Sequence, residues 1–257
     1  MLAFRPPKKL QTTMDFMGQT CIVTDLSHDL SPEDPTFVGH QRTLMWEHLT
    51  HDETQKMGLT KPPYSYKVTG FTMCDHSGTH VDAINHVLDE PDAPSIDMLP
   101  MEWFMAPGVW FDFSHKEPNS YITKEDIERE IERTGVTIKP QSVFLYHTGW
   151  YKKWGDRYEY IKNYPGVERT AMEFLTDLGV VIVGADAPSI DSYNEVKVVM
   201  EQPAHIVCRE RQMLNIENLA NVDMIPKHEF WYCGLPLKLK NASGSPFRGV
   251  AIVPQDK

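Results

Sequence analysis

Residues 76 to 86 read His76-Ser77-Gly78-Thr79-His80-Val81-Asp82-Ala83-Ile84-Asn85-His86, three histidines and a carboxylate within eleven residues. Divalent ions such as zinc and manganese take imidazole nitrogen and carboxylate oxygen at about 2.0 to 2.2 Å, so a site for one requires its donors to crowd together. The spacing limits the backbone. His76 and His80 would share a helical face, but at roughly 100° per residue Asp82 would point away from both. A straight strand would put residues 76, 80 and 82 on one face yet hold the two histidines roughly 13 Å apart, too far for one ion. A bend is required, and Gly78, which takes positive φ without steric cost, is where a loop or broken turn is expected. His86 can then turn back toward the ion as an outer partner or proton shuttle.

Upstream, residues 64–73 alternate and carry Tyr, Val and Phe, the pattern of a strand that delivers the chain into the histidine cluster. Residues 46–63 are polar and read as a surface excursion, residues 20–26 as a strand, and residues 1–19 as an extended N-terminal arm. Downstream, residues 108–113 and 142–146 read as short buried strands. Residues 122–134 form the clearest amphipathic helix, with Thr123 as N-cap, Glu125 and Asp126 in the first turn and Gly135 at the stop. Residues 169–178 repeat that pattern up to Gly179, and residues 180–184 follow as a continuous apolar strand. Residues 230–239 and 249–253 read as closing strands joined by the turn-forming loop 241–246. With no internal repeat, Walker loop or GxGxxG, the sum is a mixed α/β single domain over residues 1–257.

The chain has 257 residues, 41% hydrophobic and 24% charged, enough to bury a sizeable core. No apolar run reaches the roughly 18 residues that span a bilayer, which excludes a membrane protein, and the N-terminus lacks an apolar signal core. A net charge of −11 argues against nucleic acid or anionic membrane as partner. Cys21, Cys74, Cys208 and Cys233 are scattered without a CxxC pair, as expected of reduced thiols in the cytoplasm. Cys74, two residues before His76, reads as a small buried residue rather than a soft ligand.

Two further clusters supply donors. Pro203 favours a helix start just before His205, and Glu217 follows twelve residues on. A distant His and Glu brought in by the fold would complete one ion or hold a second. Residues 184–191, Gly184-Ala185-Asp186-Ala187-Pro188-Ser189-Ile190-Asp191, place two acids at a strand's C-terminal edge, as site support or as turn-shaping acids.

Together these motifs resemble the metal-dependent cyclase family, whose members include bacterial kynurenine formamidase and isatin hydrolase. The likeness rests on Asp25-Leu26-Ser27-His28, on the 76–86 run, on Asp186 to Asp191, on Ala204-His205 with Glu217-Asn218-Leu219, and on Leu235-Pro236-Leu237-Lys238 with Gly244-Ser245-Pro246. It implies a swivelling β/β/α domain, assembly as a homodimer or homotetramer, and hydrolysis of an amide or related acyl bond of a small molecule. It also implies roles: His76, His80 and Asp82 as ligands of a first ion, His205 of a second, Asp82 and Glu217 bridging, and His86 as catalytic acid/base. Isatin hydrolases resemble this chain but hold one manganese without the bridging glutamate, so Glu217 points toward two ions. The chain departs from the family in Asp82-Ala83-Ile84-Asn85-His86, where Asp-Ala-Pro-x-His is usual, in Phe37-Val38-Gly39, where Trp-Pro-Gly is usual, and in the 46–63 excursion.

The expected activity is therefore hydrolysis of a C–N amide bond, in a cyclic amide such as isatin or an aryl formamide, with Mn2+ or Zn2+ as cofactor. Phe37 and Trp46 are candidates to clamp a flat ring. The competing readings are a lactone hydrolase or a lyase/dehydratase using the same centre, and a non-catalytic metal- or ligand-binding module.

Overall fold

A computed structural model describes residues 10–255. In chain order its strands are β1 (Gln11–Phe16), β2 (Gln19–Asp25), β3 (Leu44–Leu49), β4 (Val68–Thr72), β5 (His80–Asp82), β6 (Met105–Asp112) and β7 (Tyr121–Ile122). They continue with β8 (Val143–His147), β9 (Gly166–Val167), β10 (Ile182–Ala185), β11 (Leu214–Glu217), β12 (Glu229–Cys233), β13 (Gly244–Pro246) and β14 (Val250–Pro254). The helices are α1 (His51–Lys56), α2 (Ile84–Val87), α3 (Lys124–Thr134), α4 (Arg157–Tyr160), α5 (Arg169–Asp177) and α6 (Pro203–Arg211).

Ten strands make one mixed sheet in the order β1-β2-β14-β12-β6-β8-β10-β11-β5-β13. Its centre, β6-β8-β10-β11, is parallel, and β5 joins β11 antiparallel. The mixed α/β class expected from the sequence is the class observed. Side chains alternate across the sheet. On β8, Val143 and Leu145 enter one apolar core together with Val81, Ile182, Leu214 and Ile216. Phe144 and Tyr146 enter the other, with Val183 and, from α3, α5 and α6, Ile127, Met172, Leu175 and Val207. That same alternation turns His80 and Asp82 on β5, and Asn215 and Glu217 on β11, away from the first core and toward α6.

The helix signals hold at residue level. Thr123 and Asp126 form a reciprocal capping box on α3, and Gly135 ends it in the left-handed conformation at φ +68°. α5 stops just short of Gly179, whose φ is +85°.

Several expectations need correction. Of the arm expected over residues 1–19, residues 1–9 lie outside the described residues, while β1 pairs with β2 as the outermost strand of the sheet. The 46–63 excursion is not featureless: Trp46 sits in β3, paired with β4, and α1 follows with Thr50 and Glu53 as its capping box. The strand expected over 64–73 is shorter, because ladder pairing with β3 extends only over Val68–Thr72. The loop expected at 241–246 contains β13, which pairs with β5 at the edge of the sheet, where Pro246 is tolerated because an edge strand leaves half its amides unpaired. No described helix is long and apolar enough to cross a membrane.

Candidate metal centre and active site

Gly78 supplies the bend that the histidine spacing demands, with φ +62°. His76 lies before it, and His80 and Asp82 lie after it on β5, so the His76 and His80 rings come within 5.1 Å of each other. His76 Nδ1 is 2.6 Å from Asp82 Oδ1, and His80 Nε2 is 3.3 Å from the same oxygen. β11 runs alongside with Glu217 opposite His80. Glu217 Oε2 thereby reaches 3.6 Å from His80 Nε2, and its Oε1 lies 3.4 Å from His205 Nε2. His205 stands in the first turn of α6, opened by Pro203 as expected, with Nε2 3.6 Å from Asp82 Oδ2. His86, on α2, places Nε2 3.8 Å from that oxygen.

All six metal and catalytic candidates therefore converge. Donor atoms of His76, His80 and Asp82 lie within 4.8 Å of one another, as do those of Asp82, His86 and His205. Five of them, all but His80, line a cavity of about 200 Å³ that is also lined by Phe37, His40, Pro188, Ser189 and Gln202. Phe37 is thus where a substrate-facing ring was expected. Trp46 is not: it lines no part of this cavity, stands opposite Gly70 in the β3–β4 ribbon with its indole where a Gly70 side chain would be, and is 47% exposed.

The outer hydrogen bonds assign the imidazole tautomers. Ser243 Oγ donates its one proton to Asp75, at 2.8 Å, so it accepts from His76 Nε2–H at 2.9 Å. His80 Nδ1–H donates to the Gly78 carbonyl at 2.9 Å, and His205 Nδ1–H to Asp191 at 2.5 Å. The inner nitrogen of each neutral ring is then a lone pair, and each faces a carboxylate oxygen, an acceptor. Lone pair against lone pair is repulsive unless a proton or a cation lies between. Three imidazoles and two buried carboxylates thus form a donor set that fits a divalent ion, with the outer hydrogen bonds common to metal-binding histidines.

The local field agrees. Burial works against charge on His80, but the Asp82 and Glu217 carboxylates outweigh it and push its pKa up to about 9. His205 is raised well above the usual imidazole value against the same burial, by Asp191, Asp82 and Glu217. Asp82, which burial alone would raise, is held well below the carboxylate range by the rings of His205, His76 and His80. The pocket favours positive charge at its centre. His86 differs: burial and the neighbouring rings lower its pKa, leaving it neutral at neutral pH. Its side chain is 29% exposed, against 3% for His80 and 6% for His205.

Of the two strand-end acids, Asp191 supports His205, whereas Asp186 accepts from Thr148 and Gly149 amides and holds the turn after β8. Cys74 is half-buried, its sulfur against Ser77 Oγ at 3.4 Å. Sequence reading missed Asn215, His40 and the Asp75–Ser243 pair. Asn215 had a signal: two residues before Glu217 on a strand, it shares its face.

The Cyclase family model ("Putative cyclase") matches residues 24–192. Kynurenine formamidase of Salinibacter ruber is 25% identical over 232 residues, 88% of this chain and 95% of that one. Isatin hydrolase of Roseibium aggregatum is 27% identical over 192 residues, 70% of this chain and 73% of that one. Among solved structures, isatin hydrolase A from Labrenzia aggregata bound to benzyl benzoate superposes with a TM-score of 0.81 at 27% identity, covering 91% of this chain and 94% of that chain. With a matched span that takes in the His76–His86 run, Phe37 and both strand-end acids, this chain belongs to the cyclase family.

Proposed function

We propose that this protein is a metal-dependent hydrolase of a carbon–nitrogen amide bond in a small molecule, a cyclic amide such as isatin or an aryl formamide. The observation that carries the reading is the set of inner imidazole lone pairs turned on Asp82 and Glu217, with one accessible neutral histidine beside them. His76, His80 and Asp82 would hold a divalent ion, Mn2+ or Zn2+, and His205 and Glu217 would complete that site or hold a second ion. A bound divalent ion supplies Lewis acidity, which polarises a carbonyl and acidifies water.

The chain's own residues do the rest. His86 Nε2, neutral and open to the cavity, accepts the proton of the attacking water and returns it to the leaving nitrogen, worth about 10²–10⁴-fold. Gly78 O and Asp191 keep the His80 and His205 rings turned inward. Phe37 and Pro188 line the wall, and a cavity of about 200 Å³ suits a small flat substrate. The names of the relatives, kynurenine formamidase and isatin hydrolase, support this class. The four free cysteines support a reducing compartment. The exposed Leu44, Trp46 and Phe71 of the β3–β4 ribbon support self-association.

The test is metal analysis followed by a screen of cyclic amides and formamides, with acid release as readout. His80→Ala loses the metal, while His86→Ala retains it and loses turnover. Full turnover by metal-stripped His86→Ala protein would refute the scheme. Oxygen from labelled water appears in the carboxylate product; its absence would favour a lyase.

A further inference from the structure

Two donor groups share Asp82, and they are not equivalent. Asn215, 2% exposed and directly opposite Asp82 in the β5–β11 register, places Nδ2 2.8 Å from Asp82 Oδ2 and 3.4 Å from His205 Nε2. A carboxylate only accepts, so the Asn215 amide turns its nitrogen to Asp82, and the second N–H is directed at His205 Nε2. His205 has one lone pair there, because its Nδ1–H is engaged by Asp191. On the His205 side both donor atoms that a second ion needs already face an N–H. On the other side Asp82 Oδ1, His76 Nδ1 and His80 Nε2 face one another, and the only hydrogen-bonding partners described for Asp82 Oδ1 are the imidazoles.

We propose that Asn215 makes the centre unequal, so that one ion binds tightly on the His76–His80–Asp82 side and the His205 side stays weak. Asn215 is then a positioning residue that sets how many ions the enzyme carries. The inference rests on the metal-centre reading given under Proposed function and adds the number of ions to it. Shape explains the effect: loss of the amide frees Oδ2 and the Nε2 lone pair together, and Glu217 Oε1, 3.4 Å from Nε2, is in place as third donor.

The experiment titrates metal-stripped full-length protein with Zn2+ alone, by calorimetry and by elemental analysis after gel filtration. The wild type is expected to retain one equivalent, with any second site at least tenfold weaker. Asn215→Leu, close in volume, is expected to retain nearly two, the second tightened by tenfold or more, and Asn215→Ala should act alike if the leucine distorts the strand. His205→Ala in the wild-type background keeps the single equivalent, and reads the same question without touching Asn215. Two tight equivalents in the wild type would overturn the proposal, as would an unchanged single equivalent in folded Asn215 variants or loss of the only ion in His205→Ala. Zero equivalents in the wild type would instead sink the metal centre itself.

Discussion

Asp191→Asn tests whether the arrangement around His205 is built as described. The Asp191 side chain, fully buried, accepts from the Ala204 amide at 2.7 Å, from the His205 amide at 3.3 Å and from His205 Nδ1–H at 2.5 Å. It therefore caps the start of α6, where negative charge meets the positive helix end, and fixes the His205 ring in one step. A hydrogen bond to a charged group contributes about 1.5–3 kcal/mol and a neutral one about 0.5–1.5 kcal/mol. Asparagine keeps the shape but turns an N–H toward one of those three donors. One bond is lost and two become neutral, which places the destabilisation at roughly 3.5–6 kcal/mol. Urea unfolding of the metal-stripped variant and wild type, followed by tryptophan fluorescence, measures it directly. With the amide oxygen kept on the two His205 donors, the N–H of asparagine faces the Ala204 amide. A folded variant within about 0.5 kcal/mol of wild type would refute the reasoning, that being the ordinary scatter of inconsequential substitutions.

Gly78→Ala places a side chain where φ is +62° and a Cβ would come to 3.0 Å from Leu30 Cδ1; it should cost about 1–2 kcal/mol and weaken metal binding, both read by melting with and without Zn2+. Gly244→Ala drives a Cβ to 2.8 Å from the His76 ring and 2.9 Å from the Val81 carbonyl oxygen on β5, so the ring and the strand edge must both shift and metal affinity should fall in calorimetry by about tenfold or more. Burial raises the Asp126 carboxyl, but Lys116 and the Thr123 amide outweigh it and hold the pKa below 3.8. That contribution to stability is complete above pH 3.8 and is lost as pH falls through the folded value, so Lys116→Met should lose about 1–2 kcal/mol near neutrality and show a flatter acid limb in urea titrations. Stripping the ion with a chelator should lower the melting temperature, and Zn2+ at a hundred times its Kd should restore about 2.7 kcal/mol.

What could be read from the sequence was what the chain does locally. The bend at Gly78 followed from the impossibility of both helix and strand, and the α3 boundaries followed from Thr123, Asp126 and Gly135, all within a few residues of what they control. Gly244-Ser245-Pro246 hid as a turn because its composition is that of a loop; only the partner strand β5, more than 160 positions earlier, makes it a strand. Asn215 and Ser243 hid for the same reason, since their partners Asp82 and His76 are 133 and 167 positions away. Trp46 was chosen for being a large ring near the motif, and its position was decided instead by antiparallel pairing with Gly70.

The three-residue strand β5 has consequences for how this enzyme is made. It is clasped between β11 and β13, which arrive respectively more than 130 and more than 160 residues after it. During synthesis the first ligands emerge early and stand without neighbours, while Glu217 and the Ser243 hydroxyl behind His76 are still to be translated. A nascent chain interrupted near residue 190 carries a recognisable histidine motif and no vessel for the ion. The pocket around Asp82, as distinct from the motif, is therefore complete only after the last strands have closed on the sheet.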